Sequence, residues 1–449
     1  MPHSSLPPKN VGTEAVLREM RDRAREMFDH ALRECSIPRA FSRQVLYDGE
    51  HLRIGRDLYD IGSFERILVV SIGKAGHTMA DAFSNILGTG LTGVIACPNT
   101  PPAQLFGFRY FIGGHPLPNE ESLRAGEAIL RLVAGSTPRT LAVFLISGGA
   151  SAIAEKPISV DVSLGDVIET YKALVHSGAP IAEINAVRKH LSALKGGRLA
   201  RSAGLARQVS VLVSDVPENS LDALASGPTM PDTTTVADCY AIAERYNLLQ
   251  RFPDSVRVLF ERHQLGETPK PGDAAFEHSR YTTVLSNATA TNSALERALE
   301  DGFAVEIDNT CDDWDYQRAA DYLLGRLRGL RQNSSRACVI SGGEVTVQVR
   351  ANSGTGGRNQ QFALHCAQQI AGEQMTVLSA GTDGVDGNSP AAGAVVDGTT
   401  VERAQERGSD VVVALAEFNA YPLLDAIGDT VVTGPTGNNV RDLRILLAY

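Results

Sequence analysis

Residues 66–76 read RILVVSIGKAG, an apolar run that breaks at Gly73-Lys74-Ala75-Gly76. Aliphatic side chains without polar alternation describe a strand buried on both faces, and the glycines directly behind it describe a tight turn. The pattern recurs at residues 141–150, LAVFLI into SGGA, and at residues 209–217, VSVLV into SDVP. Amphipathic stretches lie between these runs. Asn119 can cap residues 120–133, where Leu123, Ile129, Leu130 and Val133 form an apolar stripe, and residues 182–202 read as a helix or helix pair that Gly196-Gly197 ends or bends. Alternating strands and helices predict an α/β fold with mostly parallel sheets, in which ligands sit beyond the carboxyl ends of the strands. All three small-residue turns fall at that end.

Working outward, 449 residues exceed what a single core serves and predict two domains. Residues 1–10 are polar and proline-containing, a flexible tail. Residues 11–247 form the first α/β domain in this reading. The pattern weakens into the charged stretch RFPDSVRVLF and then GETPKPGD, which puts a connector at residues 248–280. A second α/β domain follows over residues 281–449: strands at 281–285, 303–307, 337–340, 345–349 and 376–379, helices at 288–299, 316–330 and 359–370, and late strands at 431–433 and 443–447. ISGG occurs twice, at residues 146–149 and 340–343, which either a duplication or shared turn chemistry would explain.

The composition excludes several function classes. Lys plus Arg number 42 against 52 Asp plus Glu, a net charge of −10, which argues against a nucleic-acid or anionic-membrane surface but leaves room for a small anionic ligand met by local positive charge. Hydrophobic residues at 43% and charged residues at 21% fit a globular chain. Six cysteines far apart, with no Cys-x-x-Cys pair, suggest reduced thiols in a cytoplasmic protein. There is no signal-peptide core and no apolar run near the roughly 20 residues of a membrane span.

Neither G-x-x-x-x-G-K-[ST] nor G-x-G-x-x-G is present. What the sequence offers is small residues at strand ends with isolated charges. In Ser147-Gly148-Gly149-Ala150-Ser151 the backbone N–H groups can approach a phosphate, or the turn carries no ligand at all. Lys74 can reach into a strand-end cleft and neutralise a transferring phosphoryl group, or stand solvated in its turn. Asn185, Arg188, Ser192 and Lys195 share one helical face by spacing, with no acid between Asn185 and Arg198, and so form either a nucleotide- or substrate-phosphate-binding face or a merely solvated one. Asp215, Asp232, Glu344, Asp383 and Asp386 are acids at turns; Mg²⁺ takes one or two carboxylates plus phosphates and waters, while other such acids only form turns. Arg358, in GTGGRNQ at a helix start, can fork two phosphate oxygens at an anion-binding terminus. His115, in GGHPLP, is an acid or base or a structural residue of a rigid turn.

In chain order SIGKAG, GGHPLPNEES, SGGASA, INAVRKHLSALKGGRLA, SDVPENSLDALASGPTMPD, SGGEVTV, GTGGRNQQFAL, GTDGVDG and TGPTGNN resemble the class II glycerate kinases, the glycerate 2-kinases with a C-terminal MOFRL domain. The resemblance runs from about Arg23 to the C-terminus. It implies a first domain that is a Rossmann-like three-layer sandwich, an active site in the cleft between the two α/β domains, and ATP-dependent, Mg²⁺-assisted phosphorylation of D-glycerate to 2-phosphoglycerate. By resemblance, Lys74 and Arg358 are the catalytic residues. This chain departs from the family at Ala150 and Asn438, where glycine and threonine are usual. Hydroxypyruvate reductase, a label some relatives carry, is the alternative activity, and the missing dinucleotide fingerprint speaks against it. ATP and glycerate are the expected partners, with neither nucleic acid nor membrane; the assembly state, a homodimer among the options, is left open.

Overall fold

The computed structural model describes residues 11–88, 90–349 and 353–449; the expected tail at residues 1–10 lies outside them. The chain divides into two compact units, Ile37–Leu285 and, closing on each other from the two ends of the chain, the residues up to Ser36 with Ser286–Tyr449. No described helix is long and apolar enough to cross a membrane.

In the first unit six strands form one sheet: β1 (Arg66–Ile72), β2 (Thr92–Cys97), β3 (Phe108–Ile112), β4 (Thr140–Ser147), β5 (Arg207–Val213) and β6 (Ser279–Leu285). Their order is β3-β2-β1-β4-β5-β6 and every pairing is parallel. This is the doubly wound Rossmann order, whose direction of winding reverses between β1 and β4. β4 is buried along its whole length, as a central strand covered on both faces must be. The helix Glu120–Ala134 begins where the sequence places it, with the Asn119 side chain accepting from the Ser122 N–H in a reciprocal capping box. A small antiparallel meander, Val45–Tyr47, His51–Ile54 and Asp57–Asp60, precedes the sheet.

The second sheet contains β7 (Ala304–Ile307), β8 (Ala337–Gly343), β9 (Met375–Gly381), β10 (Gly393–Asp397), β11 (Thr430–Val431) and β12 (Asp442–Ala448), in the order β7-β8-β12-β9-β10-β11. Here the expectation of a mostly parallel sheet is corrected. Only β7 and β8 pair in parallel, and the other four described pairings are antiparallel. The last strand inserts between β8 and β9 and runs against both. β9 and β10 are joined without a helical crossover, so as neighbours they must be antiparallel. Apolar runs report burial but not strand direction. Residues 345–349, expected as a strand, contribute only an isolated bridge at Thr346.

Two domain boundaries also move. Helix Val11–Glu34 belongs to the second unit, where it packs on helix Asn287–Glu300 and on β9, burying Leu17, Met20, Ala24, Met27 and Phe28. Residues 248–285 belong to the first. The expected connector is a folded part of that unit: Phe252, Val256, Leu259 and Phe260 pack with Tyr171, Leu174, Ile184 and Val187. Val256, Leu259 and Phe260 are a stripe of the helix Asp254–Glu261, with Phe252 just before it, and the charges around them masked that pattern. Residues 281–285, expected to open the second unit, lie in β6 and complete the first sheet.

Candidate active site

At the carboxyl end of the first sheet the turns after β1 and β4 are bonded together. The Lys74 N–H donates to the Gly148 carbonyl at 2.9 Å, and the Ala75 N–H donates to Ser147 Oγ at 3.1 Å. Ser147 is buried, so its hydroxyl acts as a latch between the turns. Gly149 takes the left-handed conformation, φ +79°, and a Cβ there would stand 2.8 Å from His115 Cδ2 and 3.1 Å from Lys74 Cγ. At Gly148 a Cβ would stand 1.9 Å from Asp215 Oδ2. A side chain at Gly149 would thus meet His115 and Lys74, and one at Gly148 would meet Asp215. Ser151, half-buried, follows on the short helix Ala150–Ile153. The second ISGG, at the end of β8, also places its last glycine in the left-handed region, Gly343 at φ +85°. The two copies thus share this turn geometry.

The Lys74 side chain is exposed and has no ion pair among the described residues. His115 as a whole is exposed, yet its ring edge packs over Gly149; the loss of water on that side, and then the Lys74 charge, hold its pKa below the ordinary 6.5. With the folded value depressed, the contribution of His115 to stability is present above pH 6.5 and is lost as pH falls through the folded pKa. A proton NMR titration of the His115 ring should give a midpoint below 6.5, and Lys74→Met should move it upward. An unchanged midpoint in the variant would separate the two residues.

Asn185, Arg188, Ser192 and Lys195 do not share a helical face. The helix Ile181–His190 stops before Ser192. Three of them converge instead on Glu155 and Tyr171, which sequence reasoning missed. Ser192 Oγ donates to Glu155 Oε1 at 2.6 Å, Lys195 Nζ pairs with Glu155 Oε2 and donates to the Tyr171 hydroxyl at 2.7 Å, and the Arg188 guanidinium lies 4.4 Å over the Tyr171 ring. Ser192 and Lys195 are each 1% exposed, so their polar groups are committed to Glu155. Arg188 is half-buried and its Nε has no partner among the described residues; the Asn185 side-chain oxygen faces Ser226 Oγ at 3.5 Å. Lys189 bonds Asp222 and the fully buried Asp232, at 3.0 and 3.1 Å. The basic run looked unmatched because its acids come from distant segments.

In the second unit Arg358 opens the helix Arg358–Gln369. Its Nε and Nη2 donate to the two carboxylate oxygens of Asp442 at 2.6 and 3.0 Å, and Nη2 lies 2.9 Å from Glu344 Oε1. Burial alone would lower its pKa, but the bonds and charges of Asp442 and Glu344 hold it above the ordinary value. Burial pushes the Glu344 carboxyl up. The expected anion-binding helix terminus is already filled by Asp386, whose carboxylate accepts from the backbone and side-chain nitrogens of both Asn359 and Gln360. Burial still pushes Asp386 up to about 6 against those four donors. Asp386 is thus a cap, and a poor metal ligand. Asp383 accepts from the Val385 N–H at 3.1 Å, as a turn former does, and lines a cavity of about 660 Å³ with Arg358, Gln361, Val347, Val385 and Phe418.

Residues 23–261 match the family described as a domain of unknown function, DUF4147, and residues 337–442 match the MOFRL family. A glycerate 2-kinase of Pyrococcus horikoshii is 33% identical over 85% of this chain and 87% of its own. A D-glycerate 2-kinase of Thermotoga maritima is 36% identical over 85% and 91%. The chain belongs to the glycerate kinase family. A crystal structure of a Thermotoga maritima glycerate kinase superposes with a TM-score of 0.84, covering 96% of this chain and all of that one at 32% identity. A relative in Agrobacterium vitis named a hydroxypyruvate reductase is 36% identical over 85% and 87%. Within the glycerate kinase family, then, this chain carries Lys74 and Arg358 at the motif positions that the resemblance marks. Asp442, the buried partner of Arg358, gave no signal in the sequence: it merely precedes an apolar strand.

Proposed function

We propose that the chain transfers the γ-phosphoryl group of ATP to the 2-hydroxyl of D-glycerate, giving 2-phosphoglycerate and ADP. The observation that carries this reading is the cluster at the winding reversal of the first sheet, where an exposed lysine stands beside two bare glycine positions. Ligands of doubly wound sheets bind there, and two relatives that match along most of the chain are named glycerate 2-kinases. As the oxygen–phosphorus bond to glycerate forms and the bond to the leaving ADP breaks, charge spreads over the equatorial oxygens, where Lys74 supplies a positive group; Arg358 stands at the second position that the resemblance marks as catalytic. His115, kept neutral by its lowered pKa, can accept the proton of the attacking hydroxyl. The backbone N–H groups of residues 148–151 hold phosphate oxygens.

Magnesium would join as the phosphates' counterion. Among the described residues no three His, Cys, Asp or Glu side chains are grouped to hold a metal, which fits an ion carried mainly by phosphates and water with one or two carboxylates. Asp215, beside Gly148, is the side chain that would contact it at the strand ends of the first sheet; Asp386 is excluded by its four bonds. When bound, the ion screens the triphosphate charge.

The strand order is shared with dinucleotide-binding folds, so a hydroxypyruvate reductase is the competing reading. The turn after β1, however, reads GKAG, and β2 ends at Cys97-Pro98-Asn99 with no acid to hold a ribose. Incubation with D-glycerate and ATP should release ADP, whereas hydroxypyruvate with either reduced nicotinamide cofactor should leave the 340 nm absorbance unchanged. The reverse pattern would contradict the proposal.

A further inference from the structure

The buried acid of the first unit is fully occupied, and one arginine beside it is not. Glu155 accepts at Oε1 from Ser192 Oγ at 2.6 Å and from the Lys156 N–H at 2.8 Å, and at Oε2 from Lys195 Nζ and the Tyr171 hydroxyl. Four donors fill its two oxygens. Lys189 is likewise engaged by Asp222 and Asp232. Arg188, in contrast, makes no hydrogen bond or ion pair among the described residues, and its buried Nε is unmatched. The Tyr171 ring, 4.4 Å below the guanidinium, fixes the plane of that group without using its N–H donors. Burial lowers the Arg188 pKa, as it does for a cation with no acid bonded to it.

Asn185, three residues earlier on the helix Ile181–His190 and so on the same face, is half-buried too. With its side-chain oxygen turned to Ser226 Oγ, its amide nitrogen is a further donor. These residues are bonded and packed onto the loops at the strand ends of the first sheet. Ser226 closes the segment that leaves β5 through Ser214-Asp215-Val216-Pro217, and Asp215 lies against Gly148. Glu155 stands just beyond the short helix that Gly149 opens, and its N–H donates to the Ser122 carbonyl at 3.1 Å. The Ser122 hydroxyl in turn accepts from the N–H of Gly114, next to His115. Leu117, two residues after His115, packs on the cluster that contains Tyr171, Ile184 and Val187.

A guanidinium fork with an amide beside it is a donor set for a carboxylate. In D-glycerate the carboxylate is borne by the carbon that carries the reacting hydroxyl, where its charge opposes the incoming phosphoryl group unless a fixed cation meets it. We propose that Arg188, with Asn185 beside it, binds the carboxylate of the acceptor and so selects a 2-hydroxy acid over an uncharged polyol. The proposal rests on the kinase reading and adds to it the residue that recognises the acceptor.

Arg188→Gln and Arg188→Lys test it in the full-length protein, each assayed with D-glycerate and with its uncharged amide, D-glyceramide, as substrate or competing ligand. In Arg188→Gln the KM for D-glycerate should rise by about tenfold or more, the scale of losing a bidentate charge-assisted contact, while the KM for ATP changes by less than about twofold. The preference for D-glycerate over D-glyceramide should fall by the same factor, which a merely structural role would not move. Arg188→Lys keeps the charge but not the fork and should lie between parent and Arg188→Gln; it decides the matter if glutamine unsettles the fold. An unchanged preference would overturn the proposal. So would a raised KM for ATP with an unchanged KM for glycerate, which would give the fork to a nucleotide phosphate. Calorimetric titration with D-glycerate needs no turnover. If the parent binds D-glycerate without phosphorylating it, weakened binding in the variants supports the anchor while the kinase reading fails. A variant that keeps both turnover and preference rejects the anchor and leaves the kinase standing, and a parent that neither binds nor turns over D-glycerate overturns both.

Discussion

Replacing Lys74 with alanine is expected to lower kcat by about 100-fold or more, the scale for losing one preorganised charge at a transferring phosphoryl group, while the thermal midpoint stays where it was. Both halves follow from where the residue sits. Its backbone is fixed, with the N–H donated to the Gly148 carbonyl, so the turn survives truncation of the side chain. That side chain is exposed and holds no described ion pair, so little packing or pairing goes with it. Phosphoryl transfer asks the protein for position and charge more than for covalent chemistry, which makes an unpaired ammonium at the winding reversal of the sheet costly to lose. Steady-state kinetics and a melting curve on the same preparation decide the matter. Turnover within about twofold of the parent would reduce Lys74 to a solvated turn residue.

Arg358 should behave differently, because its fork is already engaged. Asp442 is 1% exposed and both of its carboxylate oxygens accept from Arg358. Arg358→Ala strands that carboxylate. Since about a third of the arginine side chain, 34%, remains in contact with water, the expected loss of stability is about 2 kcal/mol, below the 3–5 kcal/mol of a fully buried pair. Turnover should fall well beyond what this loss explains. Arg358→Lys keeps the charge but not the planar fork, and should lose roughly 10-fold or more in kcat if a bidentate contact worth about 1.5–3 kcal/mol goes with it. The double variant Arg358→Ala/Asp442→Asn removes the stranded charge. It should recover most of the thermal midpoint and none of the activity. If activity returned together with stability, Arg358 would be a structural residue only.

Much of the first unit was legible because its strands announce themselves. RILVVSI, LAVFLI and VSVLV are too uniformly apolar for anything but buried strands, and the glycines behind them mark the ligand end. The small-residue turns therefore led directly to Lys74, Gly148, Gly149 and Asp215, which the fold gathers although 141 positions separate the first from the last. Pairing across long sequence separations was not legible. Lys195 and Ser192 read as phosphate ligands until Glu155 was found against them, and Arg358 read as free until Asp442 was. Side-chain spacing carries information along one helix, but which acid neutralises which base depends on how strands and helices pack, and residues 181–195 look uniformly basic only along the chain. The direction of β12 was hidden for a related reason. Leu443, Ile445 and Leu446 state that the strand is central, not which way it runs.

The central claim is that the chain phosphorylates the 2-hydroxyl of glycerate, and the most direct measurement is phosphorus NMR of the product. Purified protein incubated with ATP, Mg²⁺ and D-glycerate should give a single new phosphomonoester resonance that matches authentic 2-phosphoglycerate and is consumed when enolase is added without phosphoglycerate mutase. A resonance matching 3-phosphoglycerate, or no phosphoester in a sample that still binds ATP, would contradict it.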